Sequence, residues 1–129
     1  MSRVYSYTLP ILPLSMNQRE RTSHWTRRRE LEQITTDTKY LAFEAGIPPA
    51  RTRRRVTVTI HKTKRSRVTD DPSNRDSRAK SVLDAMVRTG ILIDDSDKWL
   101  EWGGVIEGEK RPQVCTVVTL QDVPEAVAA

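Results

Sequence analysis

Hydrophobic and polar residues alternate most cleanly in RVTVTIH, where Val56, Val58 and Ile60 are interleaved with Thr57 and Thr59. A period of two puts the three aliphatic side chains on one face, so the segment reads as a half-buried strand. VYSYTLPIL opens the chain with strand-type residues and is stopped by Pro10 and Pro13. After the polar segment SMNQRERTSHW, Leu31, Ile34, Leu41 and Ala45 recur at helical intervals until Gly46, Pro48 and Pro49 end the pattern. A second helix is better defined, because Ala79, Val82, Leu83, Met86 and Val87 form one apolar face and Gly90 supplies a left-handed stop. Asn74 or Asp76 is placed to cap its first turn. At 100° per residue Lys80 and Asp84 fall at the edge of the apolar face beside Val87, which predicts that both are half-buried. KWLEWGGVIEGE and PQVCTVVTLQDV then read as two strands joined by a turn near Gly108 to Pro112. The order β-α-β-α-β-β, with two helices, predicts a single small α+β domain over residues 1–123 and a disordered tail over 124–129.

Charge changes this picture by suggesting a partner. The 129 residues are 36% hydrophobic and 30% charged, with a formal net charge of +5, a balance that favours a polyanion. The cations are clumped in TRRRE (Thr26 to Glu30), RTRRR (Arg51 to Arg55) and HKTKRSR (His61 to Arg67). No apolar run approaches the ~18 residues of a membrane span, and the N-terminal apolar stretch is too broken by prolines for a signal peptide. The expected setting is the cytoplasm. The lone Cys115 excludes an internal disulfide and a cysteine zinc site; its apolar strand context predicts a buried, inert thiol. His61 ends a strand and reads as structural. His24 and Trp25, beside Arg27 and Arg28, suit either nucleic-acid contact or plain packing.

Against this basic background, six aspartates lie between Thr69 and Ser96: Asp70, Asp71, Asp76, Asp84, Asp94 and Asp95. The pairs Asp70-Asp71 and Asp94-Asp95 flank the second helix, and the apolar ILI after Gly90 offers a route back along it. If the pairs meet, Lys80 and Asp84 lie between them. Several carboxylates without thiolates suit a hard cation, magnesium or manganese. Turn and cap chemistry is the better explanation of either pair alone; the two pairs together, with a lysine and a basic approach loop, favour the cation site.

These residues resemble the RusA family of Holliday junction resolvases, small homodimeric, magnesium-dependent endonucleases. The likeness runs over nearly the whole chain: Asn17 followed by His24-Trp25 and basic residues, the strand RRRVTVTIH, a basic stretch, and above all KSVLDAMVRTGILIDDS with its Lys80, Asp84, Gly90, Asp94 and Asp95. The resemblance implies Asp71, Lys80 and Asp95 as catalytic residues. It implies a metal site of Asp71, Asp94 and Asp95, with Asp70 or Asp76 able to join. It also implies DNA contacts from Asn17, His24, Trp25, Arg27, Arg28, Lys62, Lys64, Arg65, Arg67 and Asn74. Its Asp-x-Asp-Asn motif fits DPSN (Asp71 to Asn74) with Ser73 in place of the second acid; counting from Lys80 without a gap puts Asn74 and Asp76 there instead. The first register is favoured because Pro72 and Asn74 also fit. The expected substrate is a four-way DNA junction and the expected assembly a homodimer, with Trp99 and Trp102 at the interface or in the core. Two other readings stay open: a binder of branched DNA that does not cut, and a module using metal structurally.

Overall fold

In a computed structural model describing residues 3–66 and 70–124, the chain forms, in order, β1 (Val4–Leu9), α1 (Met16–Glu20), α2 (His24–Glu44), β2 (Arg54–His61), α3 (Pro72–Ser77), α4 (Ala79–Thr89), β3 (Leu100–Glu107) and β4 (Cys115–Asp122). The strands make one mixed sheet in the order β1-β4-β2-β3. β4 runs antiparallel to both β1 and β2, whereas β2 and β3 are parallel. A parallel pair needs a long crossover, and the segment holding α3 and α4 supplies it. This is the expected α+β class, with two additional short helices.

The period-two pattern of β2 sets the layering. Val56, Val58 and Ile60 are buried on one face with Tyr7, Leu9, Val118 and Leu120. Ile34 of α2 and Val82, Ala85 and Met86 of α4 join the same core. The other sheet face carries Thr8, Thr57, Thr59 and Thr119, all exposed or half-buried. Burying an aliphatic side chain contributes about 1.5–3 kcal/mol, so this single interface supplies most of the stabilisation. Gly90 ends α4 at φ 82° in the left-handed region, after which Ile91 and Leu92 donate backbone N–H bonds to the Met86 carbonyl and turn the chain back into the core. Ile91 and Leu92 thus turn back into the core as their apolar character predicts, whereas Ile93 is exposed.

Several expectations need correction. β3 and β4 are not hairpin partners, because β2 lies between them and their connection crosses the end of β2. Gly108 N–H donates to the Ile60 carbonyl and Arg111 N–H to the Lys62 carbonyl along that crossing. His61 is buried beneath it, its Nδ1 2.9 Å from the Glu109 carbonyl oxygen, a structural role. The polar segment after Leu14 contains α1, held by a reciprocal capping box between Ser15 and Gln18. Neither Asn74 nor Asp76 caps α4, because Pro72 starts a separate turn, α3, whose N-cap is Asp71. In α2 the buried residues are Ile34, Thr38 and Ala42, whereas Ala45 is exposed at the C-cap. Lys80 is exposed and Asp84 alone is half-buried. Cys115 is half-buried at the start of β4, with Arg111 donating to its sulfur at 3.4 Å. Of the predicted tail, 125–129 lies outside the described residues.

Candidate active site

The two acidic pairs have different fates. Asp70 is drawn inside: its side chain is 1% exposed, and the Arg78 guanidinium donates to it through Nε at 2.7 Å and Nη2 at 3.2 Å. Lys62 Nζ lies 3.5 Å from Asp70 and 2.8 Å from Glu107. Burial pushes the Asp70 carboxyl up, but the hydrogen bonds and charges of Arg78 and Lys62 outweigh it and hold it below the ordinary carboxylate range. Arg78 also donates to the Pro13 carbonyl and to Gln18 Oε1, so one buried guanidinium ties the chain before α1, α1 itself and the α3–α4 junction together. Asn74 is equally occupied. It donates to Asp70 Oδ1 at 3.0 Å and accepts the Asn17 backbone N–H at 3.3 Å. Asp71 accepts the Asn74 backbone N–H at 2.7 Å as the cap of α3.

A second set of acids stays open. Asp76 at the end of α3, Lys80 and Asp84 one turn apart on α4, and Asp95 after the chain reversal line one cleft of about 240 Å³, with Ala79, Leu83 and Trp102 as its apolar parts. Spacing i, i+4 puts Lys80 and Asp84 on one helix face, and the buried Ile91–Leu92 turn returns Asp95 to that face. Trp102 reaches in from β3, its indole N–H 3.2 and 3.3 Å from the two Asp76 oxygens. A β-bulge follows it directly. Gly103 and Gly104 together oppose Thr57, Gly104 adopts φ 88°, and a Cβ on Gly103 would collide with the Thr57 hydroxyl. Bulges re-aim neighbouring side chains, and this one sits beside the tryptophan that faces the cleft.

The structure therefore brings together Lys80, Asp84, Asp95 and Asp76, adds Trp102, and leaves Asp70, Asp71 and Asp94 outside the cleft. Among the described residues no ion pair reaches Asp76, Asp84 or Asp95. Nor, among them, do three acidic or imidazole groups converge on one point. Asp76, Asp84 and Asp95 therefore share a cleft without forming a converged ligand cage. The Gly-Gly dipeptide inside a strand pattern was a legible signal of the bulge; nothing local marked Trp102 as a partner of Asp76.

The cationic segments divide similarly. Lys62 is held inside by Asp70 and Glu107. In RTRRR, Arg54 is 1% exposed and bonded to Asp122, Pro48 and Ile91, and Arg55 pairs with Glu101. Lys64 and Arg65 remain exposed and line a cleft with Lys110 and Arg111 from the β3–β4 connection. Arg67 lies outside the described residues. His24, Trp25, Arg27 and Arg28 are all exposed at the start of α2, Trp25 to 67%, with the His24 and Trp25 rings edge to face at 6.4 Å. No protein-family model matches this chain, and no curated protein matches it.

Proposed function

We propose that this chain is a RusA-like, metal-dependent endonuclease that resolves four-way or related branched DNA by paired phosphodiester hydrolysis. The observation that carries this reading is the cleft of Asp76, Lys80, Asp84 and Asp95: three carboxylates with no ion-pair partner among the described residues, beside the exposed Lys80 amine. Carboxylates lining one open cleft are hard oxygen donors of the kind a divalent cation such as magnesium takes. Asp95 and Asp76 are the residues that would hold such an ion, with Asp84 beside them on α4. A magnesium or manganese ion held there would supply Lewis acidity to the scissile phosphate and activate the attacking water. Lys80 places its ammonium toward the charge that develops on phosphorus-bound oxygens. Trp102 fixes the Asp76 carboxylate, and its ring keeps one wall of the cleft dry. The exposed arginines and lysines provide sequence-independent attraction to the backbone. A C2 homodimer would present two such clefts to the twofold-symmetric arms of a junction.

A second reading has its own support. Asn74, one of two positions where the ungapped register expects an acid, is buried against Asp70 and does not face the cleft. A site one carboxylate short could hold branched DNA without cutting it. Incubating a synthetic four-way junction with the purified protein and magnesium, manganese or chelator separates the two. Symmetric nicks that require metal support the nuclease. Junction binding with no nick in either metal favours the binder, and neither binding nor cleavage overturns both.

A further inference from the structure

The row of polar side chains that starts in the acidic cleft continues along α4 beyond it. Lys80, Asp84 and Arg88 stand at i, i+4 and i+8, a stripe ~12 Å long. Arg88 is exposed and lines a separate cleft of about 520 Å³ with His24, Arg27, Arg28, Leu31 and Glu32. On α2 the residues 24, 27, 28 and 31 form one helical face. Half-buried Leu31 floors the groove, and three guanidinium groups from two helices rim it. Like charges gathered at one groove repel unless an anion joins them. Only Arg28 has an internal ion-pair partner among the described residues, Glu32 at 3.3 Å, an exposed i, i+4 pair that is weakly held.

From this we infer that Arg27, Arg28 and Arg88 form a phosphate-binding subsite that grips the nucleic-acid strand beside the acidic cleft. The inference rests on the nuclease reading for its ligand class and adds where the strand runs. Asp84 lies one helical turn, ~6 Å, from Arg88 and Lys80 two turns, ~12 Å. Those distances place the gripped phosphate within a few nucleotides of the one facing the carboxylates. Guanidinium forks suit phosphate oxygens in this role, since they bind them through paired N–H donors.

The test is a salt-dependent anisotropy titration of a labelled four-way junction without divalent metal. It uses the parent protein and the variants Arg88→Gln, Arg88→Lys, Arg27→Gln and, as a control ~16 Å further along α2, Lys39→Ala. The substituted positions are exposed, and unchanged melting temperatures check that each variant folds. Arg88→Gln and Arg27→Gln should each lower the slope of log K against log salt by about 1, Arg88→Lys should keep most of it, and Lys39→Ala should leave it unchanged. A scan of neutral methylphosphonates through one arm should find a phosphate whose neutralisation weakens the parent but not Arg88→Gln. If the parent binds with a steep salt slope while Arg88→Gln and Arg27→Gln behave like Lys39→Ala, or if the scan never distinguishes parent from Arg88→Gln, the subsite is wrong and the nuclease reading stands. A parent that does not bind the junction overturns that reading and the subsite with it.

Discussion

Asp70 and Asp95 belong to the two acidic pairs that flank the same helix, yet the fold treats them in opposite ways. Asp70 is inside, with Arg78 and Lys62 within ion-pair distance. Asp95 is exposed, in a cleft whose described lining carries Lys80 as its cation. A buried carboxylate must have its countercharge built into the protein, because water cannot stabilise it there. An open carboxylate can leave that role to an ion and a substrate. The difference separates a device that holds the fold together from a group of acids available for chemistry.

The largest expected effect breaks the open side of this comparison. Asp95→Asn or Asp76→Asn keeps side-chain size but removes a ligand charge. Altering residues that merely orient metal ligands typically costs 10–100-fold, so junction nicking should fall by at least ~10²-fold. Binding should persist, since backbone contacts dominate affinity. Gel analysis of a labelled junction across a metal titration reads both. Nicking of either variant at the parent's rate under limiting metal would remove that residue from the site.

Next comes the buried side. Asp70→Asn leaves Arg78 and Lys62 without their shared carboxylate and should lower stability by about 3–5 kcal/mol in urea unfolding. The folded pKa of Asp70 is lowered, so its contribution is complete above the ordinary carboxylate pKa of about 3.9 and is lost as pH falls through the lowered folded value. The stability gap between parent and variant should accordingly be constant from neutral pH to about 5 and narrow below about 4. A gap that widens on acidification contradicts the ion-pair account.

A smaller effect sharpens the boundary between the two regions. Asp71 caps α3, so Asp71→Ala should cost about 1 kcal/mol of stability and leave metal-dependent nicking within about twofold, a change too small to signal a lost transition-state contact. Loss of cleavage without loss of stability would return Asp71 to the metal site, as the DPSN register expects.

Much of this architecture is legible in the residues. The Val56-Val58-Ile60 alternation, the apolar face of α4 and its Gly90 stop each carry a period or a backbone signature that few other structures satisfy. The helix α1 was legible too, through Ser15 and Gln18 at capping-box spacing, but with Met16 its one apolar residue it shows no helical period of hydrophobic positions. Side-chain destinations were harder. The adjacent residues Asp70 and Asp71 are chemically identical, and only the positions of Arg78 and Lys62 decide that the first goes inward. Likewise the insertion of β4 between β1 and β2 depends on long-range pairing, which no local pattern encodes. Lys80 and Asp95 could be named from motif spacing, whereas the Trp102–Asp76 contact arises from a bulge that aims a strand residue at a helix 26 positions away.

On the proposed function, the open carboxylates of Asp76, Asp84 and Asp95, and not Asp71, would receive a divalent cation. Calorimetric titration of manganese into the metal-free protein tests it without DNA or activity. The account predicts one saturable binding event that is lost in Asp95→Asn, weakened in Asp76→Asn and retained in Asp71→Ala. Binding that survives Asp95→Asn unchanged, or a parent that takes up no metal at millimolar concentration, would contradict it.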